Sequence, residues 1–234
     1  MLKVVEKIIS GETRAEALAA CVHGRIRNKH NKKVEQSLTG MIEEHDRFLL
    51  SQIYQDYQHI SLQMQQLVEQ MEILSEKYYK EQVTQLKTMT GVQKLAAIFI
   101  LAETGGDMRH FPTARHLCSW AGLRPRNDES AGKIKTTAIT KGNKYLRRIM
   151  VQTAWAASRT KGCYLKNKFE QLCIRKSTKK ALIAIARKQL VIVWNILNNK
   201  ENYKEFVPVL SEDKRTKKLQ YYQQQIERMQ NVVA

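Results

Sequence analysis

From Leu50 to Tyr78 the apolar residues fall in alternating steps of three and four: Leu50, Ile53, Tyr57, Ile60, Met64, Leu67, Met71, Leu74 and Tyr78. Gln, Glu, Asp and Ser fill the positions between them. A spacing of 3.5 holds one stripe on one side of a helix over the whole length, whereas a helix lying on a globular body drifts toward 3.6. The stretch therefore predicts a coiled-coil helix over 46–82. Its partner is another copy of the chain, or an antiparallel helix such as the Gln-rich 212–234. The acidic Glu43, Glu44 and Asp46 just before it read as a solvated helix face. The seam predicts a homo-oligomer; sedimentation as a monomer alone at micromolar concentration would contradict it.

The rest of the chain is also helical in texture. Pro occurs only at positions 112, 125 and 208, among many Leu, Gln, Lys, Glu and Ala, a composition that favours long helices. Leu2 to Ala20 reads as two short helices broken at "SGET", with Ser10, Gly11 and Thr13 supplying the break and a cap. "GRIRNKHNKK" at 24–33 reads as a basic, solvated connector. "LKTMTGVQKLAAIFILAETGG" from Leu86 reads as a helix end, a tight turn at Thr90-Gly91 and an apolar helix closed by Gly105-Gly106, the layout of a helix-hairpin-helix. Such a hairpin turns backbone N–H groups toward a phosphate without reading base sequence. Thr113 suits an N-cap, with Phe111, Leu117, Trp120 and Leu123 on one buried face. Further on, Leu146, Ile149, Met150, Thr153, Ala154 and Ala157 line one face of a helix. "KKALIAIARKQLVIVWNILNN" is apolar nearly all round and therefore central. The expected class is all-α, with segments 1–45, 46–82, 83–200 and 201–234.

Charge decides the partner. The chain carries 40 Lys and Arg against 22 Asp and Glu, a formal +18. Between Arg124 and Lys188 eighteen basic residues face only Asp128, Glu129 and Glu170. A solvated face mixes signs, so this imbalance is the footprint of a polyanion, nucleic acid above all. No apolar run approaches the roughly 20 residues of a spanning helix, and the start is a poor signal peptide. The expected setting is cytoplasmic, without a membrane. Cys21, Cys118, Cys163 and Cys173 form no CxxC pair and read as reduced thiols. His110, His116 and Cys118 come nearest to a metal cluster, but no second cluster completes them. Metal: none is expected from these residues.

Two-metal phosphoryl transfer needs several convergent carboxylates. Between Met108 and Phe169 only the adjacent Asp128 and Glu129 are available. No P-loop or GxGxxG occurs. What remains is a hydroxyl nucleophile. In "DESAGKIKTTAITKGN", from Asp128 to Asn143, Ser130 precedes Ala131-Gly132, with Lys133 and Lys135 after it. The cationic clamp that an attacking Ser needs is plentiful, while a base to take its proton is not visible. On residues alone Ser130 reads as an ordinary turn Ser and the stretch as a phosphate-facing polar loop.

Taken together, the "TGV" hairpin, "FPTARHLCSWAGLRPR", the S-x-G-K turn, "ITKGN", "LRR", "VQTAW" and the final apolar helix resemble the C-terminal domain of the bridge-RNA-guided insertion-sequence transposases. The resemblance covers about residues 83–200. It implies a recombinase whose N-terminal domain holds Mg²⁺ on four acidic residues and whose C-terminal domain links a Ser covalently to DNA. On that basis Ser130 is the nucleophile. Lys133, Lys141, Asn143, Arg147 and Arg148 would meet backbone phosphates, Lys135 and Lys144 belong to the same DNA-binding run, and Gly91 marks the hairpin. Many members have Gly where Ala131 stands, which a negative φ would tolerate. The acidic domain has no counterpart from Met1 onward, so the expectation is a truncated transposase, inactive alone and without a cofactor of its own. DNA and a guide RNA are the implied partners. The alternative is a non-catalytic nucleic-acid-binding and dimerisation protein that regulates a full-length transposase.

Overall fold

The computed structural model describes residues 2–126, 128–136 and 138–205, together with 216, 219–224, 226 and 230. The tail considered above as a partner for the seam lies largely outside the described residues. The chain divides into two compact units, 1–73 and 74–234.

In the first unit α1 (Leu2–Ile9) and α2 (Ala15–Ala20) are separated at Ser10–Arg14, as the sequence led one to expect. Gly11 takes φ +96 at the break, and Ser10 donates its hydroxyl to the Lys7 carbonyl. Thr13 is not the cap. The N-cap position is Arg14, and the Glu12 carboxylate accepts the backbone N–H groups of Thr13 and Arg14 instead. The basic stretch 24–33 is no loop but part of α3 (Gly24–Leu38), bent at His30, with no buried residue. His23 Nδ1 caps it by accepting the Arg25 N–H. Arg and Lys are good helix formers, so a capped run of them stays helical without a core to pack on. Then comes α4 (Glu44–Tyr78). Tyr54 on α4 donates its hydroxyl to Glu6 on α1. Along α4 the seam residues Ile53, Ile60, Met64, Leu67 and Leu74 are each more than half exposed. The helix stops short of the expected 82, because Tyr79 takes φ −135 and starts a new helix.

The second unit is built around one helix. It comprises α5 (Lys80–Lys87), α6 (Lys94–Thr104), a short 3-10 turn at Met108–His110, α7 (Ala114–Trp120), a two-stranded ribbon, α8 (Lys144–Arg159), α9 (Tyr164–Cys173) and α10 (Thr178–Asn199). α10 packs against α5, α7, α8 and α9. Ala181, Ile185, Ala186, Leu190 and Val193 on it are completely buried. Each buried Leu, Ile or Val contributes about 1.5–3 kcal/mol from apolar transfer. By length and hydropathy α10 could cross a membrane, but it carries the core of this unit. The expected face of α8 is buried at Leu146, Met150, Thr153, Ala154 and Ala157, while Ile149 is only half-buried. On α7 Leu117 is buried, as is Leu123 beyond it, whereas Trp120 keeps 39% of its surface exposed against Phe111.

A large polar side chain also sits in this apolar centre. Gln189 is fully buried. Its Nε2 donates to the Thr90 carbonyl at 3.0 Å, and its Oε1 accepts from Thr153 Oγ1 at 3.0 Å. The amide thus ties the α5–α6 turn to α8 and α10. The same turn needs Gly91, which has φ +89; a Cβ there would lie 2.4 Å from the Thr153 carbonyl oxygen and 2.9 Å from the Ala157 nitrogen. Gly91→Ala is therefore expected to lower the unfolding free energy by at least about 2 kcal/mol. Gln189→Ala should lower it by about 2–3 kcal/mol, through buried groups left unpaired and a cavity. Urea unfolding checks both, and midpoints unchanged from the parent chain would contradict the account.

Candidate nucleic-acid interface

The sequence "RPRNDESAGKIKTTAITKGN" leaves the helical regime. After α7, Gly122 turns at φ +68 and the chain runs out along Leu123–Arg126. It returns through Ala138–Thr140. The base of this ribbon is pinned by the Arg126 N–H donating to the Ala138 carbonyl and the Thr140 N–H to the Arg124 carbonyl, each at 2.9 Å. Beyond the base come β1 (Asp128–Ser130) and β2 (Lys133–Thr136), antiparallel, with an irregularity between Asp128 and Glu129. The expected polar loop is thus a β-ribbon, the exception to an otherwise all-α chain. β-branched Ile134 and Thr136, placed after a two-residue turn, are the sequence signal that could have revealed it.

Ala131 and Gly132 form the turn at the tip, with φ +49 and +72. Positive φ at both central residues is the type I′ pattern, whose twist matches the strands it joins. Ala131 lacks the negative φ that would let Ala replace Gly without strain. A left-handed Ala carries about 1–2 kcal/mol of strain that Gly would lack.

Ser130 and Lys133 close this turn as a cross-strand pair. Paired side chains share a face, with Cβ atoms about 4.5–5.5 Å apart. Both residues are exposed. The tip therefore presents a hydroxyl with an ammonium group beside it, and Lys135 stands one alternation further along. Among the described residues no His, Asp or Glu side chain bonds to the Ser130 hydroxyl.

The ribbon leads back into α8, and its second leg is fixed tightly to α7. The Asn143 N–H donates to the Trp120 carbonyl at 2.8 Å. A Cβ on Gly142 would fall 2.4 Å from both the Gly122 nitrogen and the Trp120 oxygen, so the two backbones cross at a point where no side chain fits. Asn143 is the N-cap of α8. Its Oδ1 accepts from the Tyr145 and Leu146 N–H groups at 2.9 and 3.0 Å, and its Nδ2 donates to Glu103 at 2.6 Å. Arg147 reaches back to the Thr140 carbonyl at 3.5 Å. Of the residues singled out in the sequence, Asn143, Arg147 and Gly91 are thus engaged within the fold. Lys133, Lys135, Lys141, Lys144 and Arg148 are exposed. None of these five makes an ion pair among the described residues. Lys144 and Arg148 lie one turn apart on α8, and Lys141 precedes them on the ribbon's return leg, so exposed cations recur from the tip to α8.

The possible metal cluster does not assemble. Cys118 is buried, and its thiol donates to the Arg187 carbonyl. Burial pushes that thiol's pKa up, away from the thiolate a metal would need. His116 pairs with Thr113 Oγ1 at 2.9 Å. Among the described residues no group of three or more His, Cys, Asp or Glu is placed to hold a metal, so these residues do not fit a Mg²⁺ site.

Comparison with known proteins supplies the context. Residues 83–170 match the family described as "Transposase IS116/IS110/IS902 family". The transposase for insertion sequence element IS1111A of Coxiella burnetii is 30% identical over 132 residues, 53% of this chain and 35% of that protein. A putative transposase of Sinorhizobium fredii, y4pF/y4sB, is 29% identical over 160 residues, 64% of this chain and 40% of its own. The insertion element IS110 uncharacterized 43.6 kDa protein of Streptomyces coelicolor is 31% identical over 124 residues, 53% of this chain and 30% of its own. The chain thus spans 30–40% of the length of these relatives.

Proposed function

We propose that this chain is the DNA-binding, serine-bearing part of an insertion-sequence transposase, a reading supported by the match of residues 83–170 to the IS116/IS110/IS902 transposase family. The observation that carries the proposal is the tip of the ribbon: Ser130 exposed, cross-strand from Lys133, ahead of the exposed cations that recur to α8. In the proposed step Ser130 Oγ attacks a backbone phosphorus. A new P–O bond forms to the Ser, the bond to the departing strand's oxygen breaks, and the Ser proton is passed on so that this oxygen leaves as a hydroxyl. Lys133 offsets the charge that develops on the phosphoryl oxygens. Lys141, Lys144 and Arg148 hold the backbone on either side without reading sequence. The α5–α6 hairpin and Arg147 shape the platform from beneath.

The carboxylates that would hold Mg²⁺ are supplied from outside the described residues, and a guide RNA is a second polyanion that the same cations would accept. The exposed seam of α4 would pair with a second copy, which places two Ser-bearing units on one DNA assembly. The work is done on DNA in the cytoplasm.

With an acidic resolvase-like domain supplied together with Mg²⁺, donor and target DNA and a guide RNA, Ser130→Ala should abolish strand exchange. DNA affinity should stay within about twofold, because one neutral hydroxyl releases no counterion. Strand exchange that survives Ser130→Ala would favour the rival role, a non-catalytic binding and dimerisation partner of a full-length transposase.

A further inference from the structure

Between the base of the ribbon and the first turns of α10 lies a recess of about 960 Å³. Five cations surround it. Arg175 and Lys176 lie in the α9–α10 connection, Lys179 and Lys180 in the first turn of α10, and Arg187 further along that helix. The first four are exposed. Among the described residues none of the five makes an ion pair, and no carboxylate lines the recess. The first turn of α10 contains no acidic residue, although that end of a helix already carries about half a positive charge. Lys179 and Lys180 thus add charge of the same sign to the helix end, which is unfavourable unless an anion answers it. The floor is different: Pro125, Ile139, Ile183 and Ala184 are apolar.

We propose that this recess holds a single strand of DNA, with phosphates on the five cations and sugar and base faces on the apolar floor. A duplex does not fit the dimensions. Its two grooves alone are about 8.5 and 7.5 Å deep, so a whole duplex is wider than a recess of about 960 Å³ is across. The position suits the strand that meets Ser130. Thr136 lines the recess and pairs with Asp128, two residues before Ser130, or about 7 Å along the strand. The assignment rests on the DNA-handling function proposed above and adds which form of DNA is held, and where.

The test is binding by the full chain to three labelled probes of one sequence: a 12-nucleotide single DNA strand, its RNA equivalent and the 12-base-pair duplex. Lys179→Ala/Lys180→Ala should weaken single-strand binding about tenfold and flatten its log–log salt dependence by about 1.4, from two phosphates at about 0.7 each. Duplex binding should stay within about twofold. Ala184→Trp fills the floor with no change of charge and should weaken the single strand alike, and the parent chain should hold the DNA strand at least as tightly as RNA. Parallel weakening of strand and duplex by the Lys pair, or a stronger hold on RNA, would overturn the proposal. Should Ala184→Trp melt below the parent chain, the exposed Lys pair decides. Binding to none of the three probes would remove the DNA-handling function itself, whereas duplex binding with an unaffected strand removes only the recess.

Discussion

Gln189 is the constraint on which the second unit depends. A primary amide in the centre of an apolar helix is unfavourable unless its groups are paired. Its partners here are a turn carbonyl at Thr90 and the hydroxyl of Thr153, so burying α10 requires the α5–α6 turn to close on α8. Closure brings the backbone at Gly91 to a separation where no Cβ fits. Hydrophobic burial supplies the energy, and the amide with the glycine selects one arrangement.

That arrangement fixes the direction of α8, and α8 fixes the ribbon. Asn143 joins three roles in one side chain and its backbone: it caps α8, bonds to Glu103 on α6, and anchors the ribbon's return leg to the end of α7. With the Gly122–Gly142 crossing, the base of the ribbon becomes part of the rigid body while its tip projects. Ser130 is then held by backbone pairing, and its side chain remains open to a ligand. The glycines and Asn143 of "AGLRPR" and "ITKGN" act here through geometry, while Lys141, Lys144 and Arg148 around them stay exposed.

Much of this was legible in the sequence. The apolar periodicity of α8 and α10 identified the core faces, and the charge imbalance between Arg124 and Lys188 pointed to the exposed cations described above. The α5–α6 turn followed from its Gly and the capped apolar run behind it. Other features were not legible, for physical reasons. Helix propensity and the His23 cap carried 24–33 into a helix that lies against α2 without burying a residue, where charge alone suggested a connector. The ribbon is too short to display a long alternation, and the tip's Ala hid a turn type normally announced by Gly or Asn. Gln189 looked like one polar residue on a long apolar helix; only its partners, 36 and 99 positions away in the chain, reveal what it does.

The central claim is that the fold displays Ser130 so that its oxygen can take a DNA phosphate. It is tested most directly by mass spectrometry of a reaction halted during strand exchange, with the acidic domain, Mg²⁺ and nucleic acids supplied. The account predicts a DNA-derived phosphate linked to Ser130 in the peptide spanning the ribbon tip. Strand exchange with the adduct on another residue, or with no protein–DNA adduct at all, would contradict it.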